Sequence, residues 1–322
     1  MTLQIHSLTN PSAPSVLNRT LHHLTPHLPT SLPLYRRLQS GRFLPSSHLF
    51  TSSNLNQDND DDENTPWLIA FVDRSCRPET EIWMYGSWES SSSAAPSDTS
   101  TWATIERIMA SLLHEVKNLP VEPSIHQDVL DSSSFDSEIV LFGAVHERSL
   151  PVLENLGVLV SSVVPNSTFV FDVDHLPPAR PLPEKLRWGE VGREYFNLVR
   201  SRTEIKRQDR TLAVSPSLAI YPATIAGEAT APIAWAFVGL DGSLTTLHVE
   251  AEWRGRGLAK ALTTRLFREK MGAYFEREEK GTVRWAHGYV VEGNERSEGM
   301  CRSLGGRSHW LCYWLRVDLG KV

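Results

Sequence analysis

Cysteine is scarce. Cys76, Cys301 and Cys312 are the three in 322 residues, too few and too scattered for a disulfide framework or a zinc site, and they suit a reducing compartment. No apolar run approaches the length of a membrane-spanning helix, and the N-terminus lacks the charged-then-apolar layout of a secretory signal. No membrane partner is expected. Acidic side chains are missing ahead of Asp58. That basic, Ser-rich opening resembles a mitochondrial transit peptide in composition. However, three prolines in "LTPHLPTSLPLYRRLQ" spoil a targeting helix, and its apolar spacing suits a docked helix and turn instead. The chain therefore reads as cytoplasmic, with a mitochondrial address as the alternative. Positive charge is not in excess either: a formal net charge of −6 argues against a nucleic-acid partner held by bulk electrostatics. The patterns G-x-x-x-x-G-K-[ST], G-x-G-x-x-G and G-x-S-x-G are all missing, which excludes by pattern a nucleotide P-loop, a dinucleotide fold and a serine-hydrolase elbow.

What is present is globular. A hydrophobic fraction of 40% and a charged fraction of 22% can fill real cores, and 322 residues suit two domains. The acidic run "NQDNDDDENTP" (56–66) and the Ser-rich "ESSSSAAPSDTST" (89–101) read as solvated segments, and the proline-rich "HLPPARPLPEK" (175–185) divides the chain. Domains over 1–180 and 181–322 follow. The halves run in parallel. The first has strands "WLIAFV" and "EIWMYG", the helix "TWATIERIMASLLHEVKN", strand "SEIVLFGA", a short helix near "LPVLENLG" and strand "TFVFDV". The second has strands "PIAWAFVG" and "SLTTLHVE", a helix from Gly257 to about Met271, strand "VRWAHGYVV", helix "NERSEGMCRSLGG" and strand "WLCYWLRV". This shared order suggests a duplicated fold. The expected class is α/β (α+β): two mixed sheets, each flanked by helices.

The stretch with the most chemistry is "WRGRGLAKAL" (253–262), where a strand gives way to a helix. A helix N-terminus offers free N–H groups and the positive end of the dipole, so it attracts anions. Gly255 and Gly257 let the backbone approach a bulky phosphate, Leu258 and Ala259 begin the helix, and Arg254 and Arg256 add charge. This is the layout of a pyrophosphate cradle. The plain alternative is a tight turn with two exposed arginines. The first half carries no such glycines at the corresponding place.

"LHVEAEWRGRGLAKAL" resembles motif A of the GCN5-related N-acetyltransferases (GNAT), [RQ]-x-x-G-x-[GA] after a strand carrying apolar-x-Val. Arg254, Gly257 and Ala259 match, preceded by Leu247 and Val249. "NERSEGMCRSLGG" resembles the superfamily's N-x-x-[AS]-x-x-x-Y-x-x-x-G-F at Asn294, Ser297 and Gly305. The opening "HLPTSLPLYRRLQ" and the motif-free first half resemble the glycine N-acyltransferase branch and its fungal relatives. The resemblance implies a tandem GNAT-like fold with a degenerate 1–180 domain and a catalytic 181–322 domain. It implies acetyl-CoA or another acyl-CoA as co-substrate and a small-molecule amine as acceptor. The cradle 254–259 would hold the pyrophosphate, Leu247 and Val249 the pantetheine arm by backbone groups, and Asn294 and Ser297 the cofactor's far side.

Two positions depart from the pattern. Where the glycine N-acyltransferases carry a glutamate thought to act as base, this chain has Ser243, which could relay through water to Asp241 or Glu292. Where many relatives place a tyrosine near the sulfur there is Cys301, either a thiol acid or a small buried apolar residue. Ser243 and Cys301 are thus the candidate catalytic residues. By strict alternation His248 and Glu250 lie on the face opposite Ser243, Thr245 and Leu247 unless a bulge resets the phase. His287 shares a face with Trp285 and Tyr289 and could line the acceptor cavity. His23 and His27, one helical turn apart, lack a third ligand and read as surface histidines, and no metal is expected. "FDVDH" (171–175) reads as a strand end. The leading expectation is an acyl-CoA-dependent N-acyltransferase working by direct attack in a ternary complex. The alternative is a non-catalytic acyl-CoA-binding or sensing module. Acceptor, acyl length and oligomeric state stay open.

Overall fold

Runs rich in β-branched and aromatic residues become the strands, and the segments with apolar residues every third or fourth position become the helices that cover them. The computed structural model describes residues 3–52, 65–90, 99–120, 137–160, 163–205, 207–223, 230–278 and 281–322. Most of the acidic run at 56–66 and of the Ser-rich segment at 89–101 lies outside these residues. The chain forms two units, Met1–Asn166 with Trp310–Val322, and Ser167–His309.

The first unit contains β1 (Gln4–Ser7), α1 (Ala13–Leu24), α2 (Leu32–Gln39), β2 (His48–Thr51), β3 (Leu68–Val72), β4 (Ile82–Gly86), α3 (Thr99–Asn118), β5 (Ile139–His146) and α4 (Leu150–Asn155). Its strands run in the order β1-β2-β3-β4-β5-β12, closed by β12 (Arg307–Asp318), of which the residues from Trp310 on belong here. β4 and β5 are parallel at Ile82 and Phe142, and β12 is antiparallel to β5 from Cys312 opposite His146 to Asp318 opposite Ile139. Alternation along β3 feeds two cores. Ala70 and Val72 meet Ile105, Met109 and Leu112 of α3, while Ile69 and Phe71 meet Leu34 and Leu38 of α2. His23 and His27 are not free on the surface as the sequence suggested: their rings pack on Trp67 at 4.4 and 5.2 Å. Among the described residues no group of His, Cys, Asp and Glu is arranged to hold a metal ion.

The second unit contains β6 (Asn166–Asp172), β7 (Leu186–Gly189), α5 (Phe196–Ser201), α6 (Asp209–Val214), β8 (Ser217–Pro222), β9 (Ala234–Val238), β10 (Ser243–Val249), α7 (Leu258–Lys270), α8 (Gly272–Phe275), β11 (Trp285–Val291) and α9 (Glu295–Ser303). Its order, β6-β11-β10-β9-β8-β7, repeats that of the first unit. Within each unit the strands mix parallel and antiparallel neighbours, with helices against each face. The fold is the mixed α/β class that the sequence implies. Leu262, Leu266 and Phe267 of α7 are fully buried against Ile220, Ala234 and Ala236, roughly 2 kcal/mol each by apolar transfer. On the opposite face Phe196 and Val199 of α5 and Leu212 of α6 cover Tyr221, Trp235 and Phe237. The sequence break at 180/181 falls inside this unit. "TFVFDV", read as closing the first half, counts with the second unit, and "WLCYWLRV", read as closing the second half, counts with the first.

Candidate active site

All of the residues singled out for function lie in the second unit, around β10. This strand pairs antiparallel with β9, Leu244 opposite Val238 and Thr245 opposite Phe237, then His248 opposite Trp235 and Val249 opposite Ala234. Three steps on β10 thus match two on β9, a bulge centred on Thr246, whose φ is +54°. The bulge resets the alternation. Before it Ser243 and Thr245 face the Trp235 side, and Leu244 faces α7. After it Leu247 and Val249 face α7, while His248 turns to the Trp235 side and stacks on that indole at 4.8 Å. The phase expected from strict alternation is corrected accordingly: His248, not Leu247, shares the face of Ser243 and Thr245.

On its other edge β10 pairs in parallel with β11 at two rungs, Ser243 with His287 and Leu244 with Gly288. A Cβ on Gly288 would lie 3.2 Å from that of Leu244, so the strands are in close contact there. Past Leu244 no further rung joins them among the described residues. The backbone edge of Thr245–Val249 is therefore unpaired toward β11, as an extended ligand arm requires.

This edge leads to the turn at 254–257. Arg254 Nε donates to the Val249 carbonyl at 2.9 Å and ties the strand end to the turn. Arg256 stacks over Trp253, 4.8 Å from the ring centre, and donates to the Glu252 carbonyl at 3.1 Å. Gly255 and Gly257 have φ of +75° and +78°, and a Cβ on either would meet nothing within 4 Å. Gly257 caps α7 without a side-chain cap, and the N–H groups of the first helical turn, Leu258, Ala259 and Lys260, have no backbone acceptor among the described residues. Open space, bare donors and two cations make the turn fit a pyrophosphate.

Beside the first paired rung runs a buried polar chain. The Ser243 hydroxyl donates to Asp241 Oδ1 at 2.7 Å, and the Ser243 N–H does so at 3.2 Å. The Tyr289 hydroxyl donates to Asp241 Oδ2 at 3.0 Å and lies 3.1 Å from His287 Nε2. Burial alone would raise the Asp241 carboxyl. The His287 ring 3.9 Å away and the two Ser243 donors outweigh it and hold the carboxyl well below the usual carboxylate range. On the same face Arg207 Nη2 donates to Thr245 Oγ1 at 2.7 Å, and Arg202 Nε to Glu250 Oε1 at 3.0 Å. His248 lies 3.5 Å from Glu250, and burial lowers its pKa.

Cys301, on α9, is 2% exposed in the apolar core, and burial pushes its thiol up to about 12. Asn294 caps α9, its side chain accepting the Ser297 N–H at 3.2 Å. The motif's asparagine and serine are thus joined by a capping bond. The Asp172–His175 pair of "FDVDH", 2.7 Å apart, joins the last residue of β6, partly buried, to an exposed histidine beyond it. Arg202 and Arg207 escaped the sequence reading. They precede α6 without a motif, and only the packing of α5 and α6 over β8 and β9 brings them near.

A family model described as the acyl-CoA N-acyltransferase verG N-terminal domain matches residues 3–172, more than half of the chain. The chain belongs to this N-acyltransferase family. An FR47-like model matches residues 224–315, which include β10, the cradle and α9. Comparison with curated proteins finds no match. Among solved structures, the X-ray structure of a Drosophila protein superposes with a TM-score of 0.61 at 14% identity, covering 97% of this chain and 99% of that one. A tandem GNAT protein from the clavulanic acid biosynthesis pathway superposes with a TM-score of 0.53 at 12% identity, over 99% of both chains. At such identities the likeness speaks for the fold, and it is the two-domain GNAT fold that the resemblance implied.

Proposed function

We propose that the protein is an acyl-CoA-dependent N-acyltransferase that moves an acyl group, acetyl in the simplest case, to a small primary amine. One observation carries the reading: the β10 edge is unpaired past Leu244 and runs into a glycine turn with bare helix N–H groups and two arginines. Family membership supports it. Arg254–Ala259 would hold the pyrophosphate, with the N–H groups of α7 as donors and Arg254 and Arg256 as counter-charges. The backbone of Leu247 and Val249 would bind the pantetheine arm, while Asn294 and Ser297 keep the start of α9 in place beside it.

The amine nitrogen attacks the thioester carbonyl. A C–N bond forms, the C–S bond breaks, the amine gives up a proton, and the thiolate leaves to be protonated. Bound acyl-CoA supplies the activated carbonyl, and this chain has to align the amine and accept its proton. Ser243 has no basicity of its own and acts through the Asp241 contact. Cys301 fills space in the core. Its thiol, at about 12, is poorly matched to proton transfer near neutral pH. Among the described residues no side chain on the Trp235 face is an evident covalent nucleophile, so attack is direct, within a ternary complex.

The serine in place of a carboxylate and the buried Cys301 favour one competing reading, a module that binds acyl-CoA without turning it over. Incubation with acetyl-CoA and a panel of amines, read as thiol release and as acylated product by mass spectrometry, separates the two. Product with any amine eliminates the module. Tight acetyl-CoA binding without product would eliminate the enzyme.

A further inference from the structure

The N-acyltransferase reading, on which this inference rests, leaves the amine without a base, because serine stands at the expected position and Asp241 is too weakly basic. We propose that the base is His287, acting through Nδ1, with Tyr289 and Asp241 as positioning residues that fix its tautomer and stabilise its cation.

The hydrogen bonds set the protons. Asp241 accepts from Ser243 at Oδ1 and from the Tyr289 hydroxyl at Oδ2, so Tyr289 spends its single proton on Oδ2. The lone pairs of the Tyr289 oxygen then face His287 Nε2 at 3.1 Å, and that nitrogen carries the hydrogen. A neutral imidazole has one N–H, so Nδ1 presents a bare lone pair. Nδ1 is buried and has no hydrogen-bond partner among the described residues, in a side chain that is 0% exposed. An acceptor buried in this way is costly unless something occupies it. His287 also stands at the right place, opposite Ser243 on the rung next to which the β10 edge opens.

Asp241 Oδ2 is 3.9 Å from His287 Nε2, so a buried negative charge faces the imidazolium as it forms. The bound ammonium first passes one proton to Nδ1, directly or through one water, and the neutral amine then attacks. The positive charge is shared along Nε2–H, the Tyr289 hydroxyl and the Asp241 carboxylate, and this proton later returns to solvent, while the second proton leaves the nitrogen as the C–S bond breaks and goes to the departing thiolate. This is an oriented base backed by a carboxylate, with a tyrosine inserted between them. His248, the other histidine on this face, is less suited. Burial lowers its pKa, Arg254 and Arg202 oppose its protonation and Glu250 favours it, with a net lowering.

The test combines spectroscopy with kinetics on the full chain. Nitrogen-15 spectra of histidine-labelled protein should show His287 as the Nε2–H tautomer; the Nδ1–H tautomer would overturn the proposal. Acetyl transfer is then compared between protonated amines (glycine, putrescine, benzylamine) and hydroxylamine, which is neutral near neutral pH and needs no base to become a nucleophile. His287→Gln should lower kcat with the best protonated amine about 100-fold, with hydroxylamine much less, and leave the KM for acetyl-CoA unchanged. Equal losses with both nucleophiles, or no loss, would overturn it. If His287→Gln melts early, Tyr289→Phe, which keeps the ring and breaks the chain, carries the same comparison. Calorimetry with acetyl-CoA distinguishes the two levels. A wild type that binds none removes the N-acyltransferase reading itself. One that binds and acylates an amine, yet whose His287→Gln variant turns over normally, removes this proposal alone; one that binds and acylates none removes the reading and the proposal together.

Discussion

Ser243 and His287 lie opposite one another on the parallel rung between β10 and β11, one rung before the pairing ends at Leu244 and Gly288. The polar chain is anchored where the strands are still paired, and the unpaired edge begins directly beyond it. Asp241, in the turn before β10, and Tyr289, two residues beyond His287 on β11, complete that chain from both strands. Substitutions here should therefore act on proton handling, and those at the cradle on acyl-CoA affinity.

The bulge gives the first prediction. Thr246 is β-branched at a φ of +54°, a conformation that costs such residues about 1–3 kcal/mol. Glycine takes it freely but loses more entropy on folding, about 0.5–1 kcal/mol. Thr246→Gly should stabilise the protein by a net of about 1 kcal/mol in urea unfolding. A loss of stability would show that the Thr246 side chain is worth more than the strain.

Gly255 and Gly257 give the opposite sign. Their φ values of +75° and +78° are unfavourable for alanine even though a Cβ meets nothing within 4 Å. Gly255→Ala and Gly257→Ala should each cost about 1 kcal/mol through the backbone alone, measured by the same unfolding curves.

Asp241 links stability to pH. Its folded pKa is depressed, so its contribution is fully present above the unfolded carboxylate value of about 3.9 and is lost as pH falls from there toward the folded value. The stability gap between wild type and Asp241→Asn should thus be widest near neutral pH and shrink steadily on acidification below about pH 5. Unfolding curves for both proteins across that range check it; a gap that widens in acid contradicts the assignment.

Cys301 should be inert. With its thiol buried and raised to about 12, iodoacetamide at mildly alkaline pH should label it only after denaturation, as peptide mapping reads directly. Cys301→Ala should cost about 1 kcal/mol of stability through lost burial and leave kcat within a small factor. A large fall in kcat would restore the thiol as an acid.

Much of this was legible in the chain. The short unbroken apolar runs in "WLIAFV" and "EIWMYG" and the helical spacing of Leu262, Leu266 and Phe267 pointed to strands and helices close to those found, because strands covered on both faces are apolar throughout and a helix covered on one face repeats at its own period. The glycine turn was legible because a positive φ and bare N–H groups demand particular residues. Short elements such as β7, β8, α5 and α6 were not, since four to six residues carry too little pattern. Nor was the bulge: Thr246 bears no glycine signature, and its phase shift shows only once β10 pairs with β9. The chain of Asp241, Tyr289 and His287 needed the parallel rung between β10 and β11, a contact that no local window contains.

The central claim is that the turn at 254–259 and the unpaired β10 edge hold acyl-CoA. Calorimetric titration of acetyl-CoA into wild type and Gly257→Trp, with circular dichroism showing that both are folded, tests it most directly. Micromolar binding by the wild type that is lost in the variant is the result the account predicts. No binding by the folded wild type, or equal binding by the two, would contradict it.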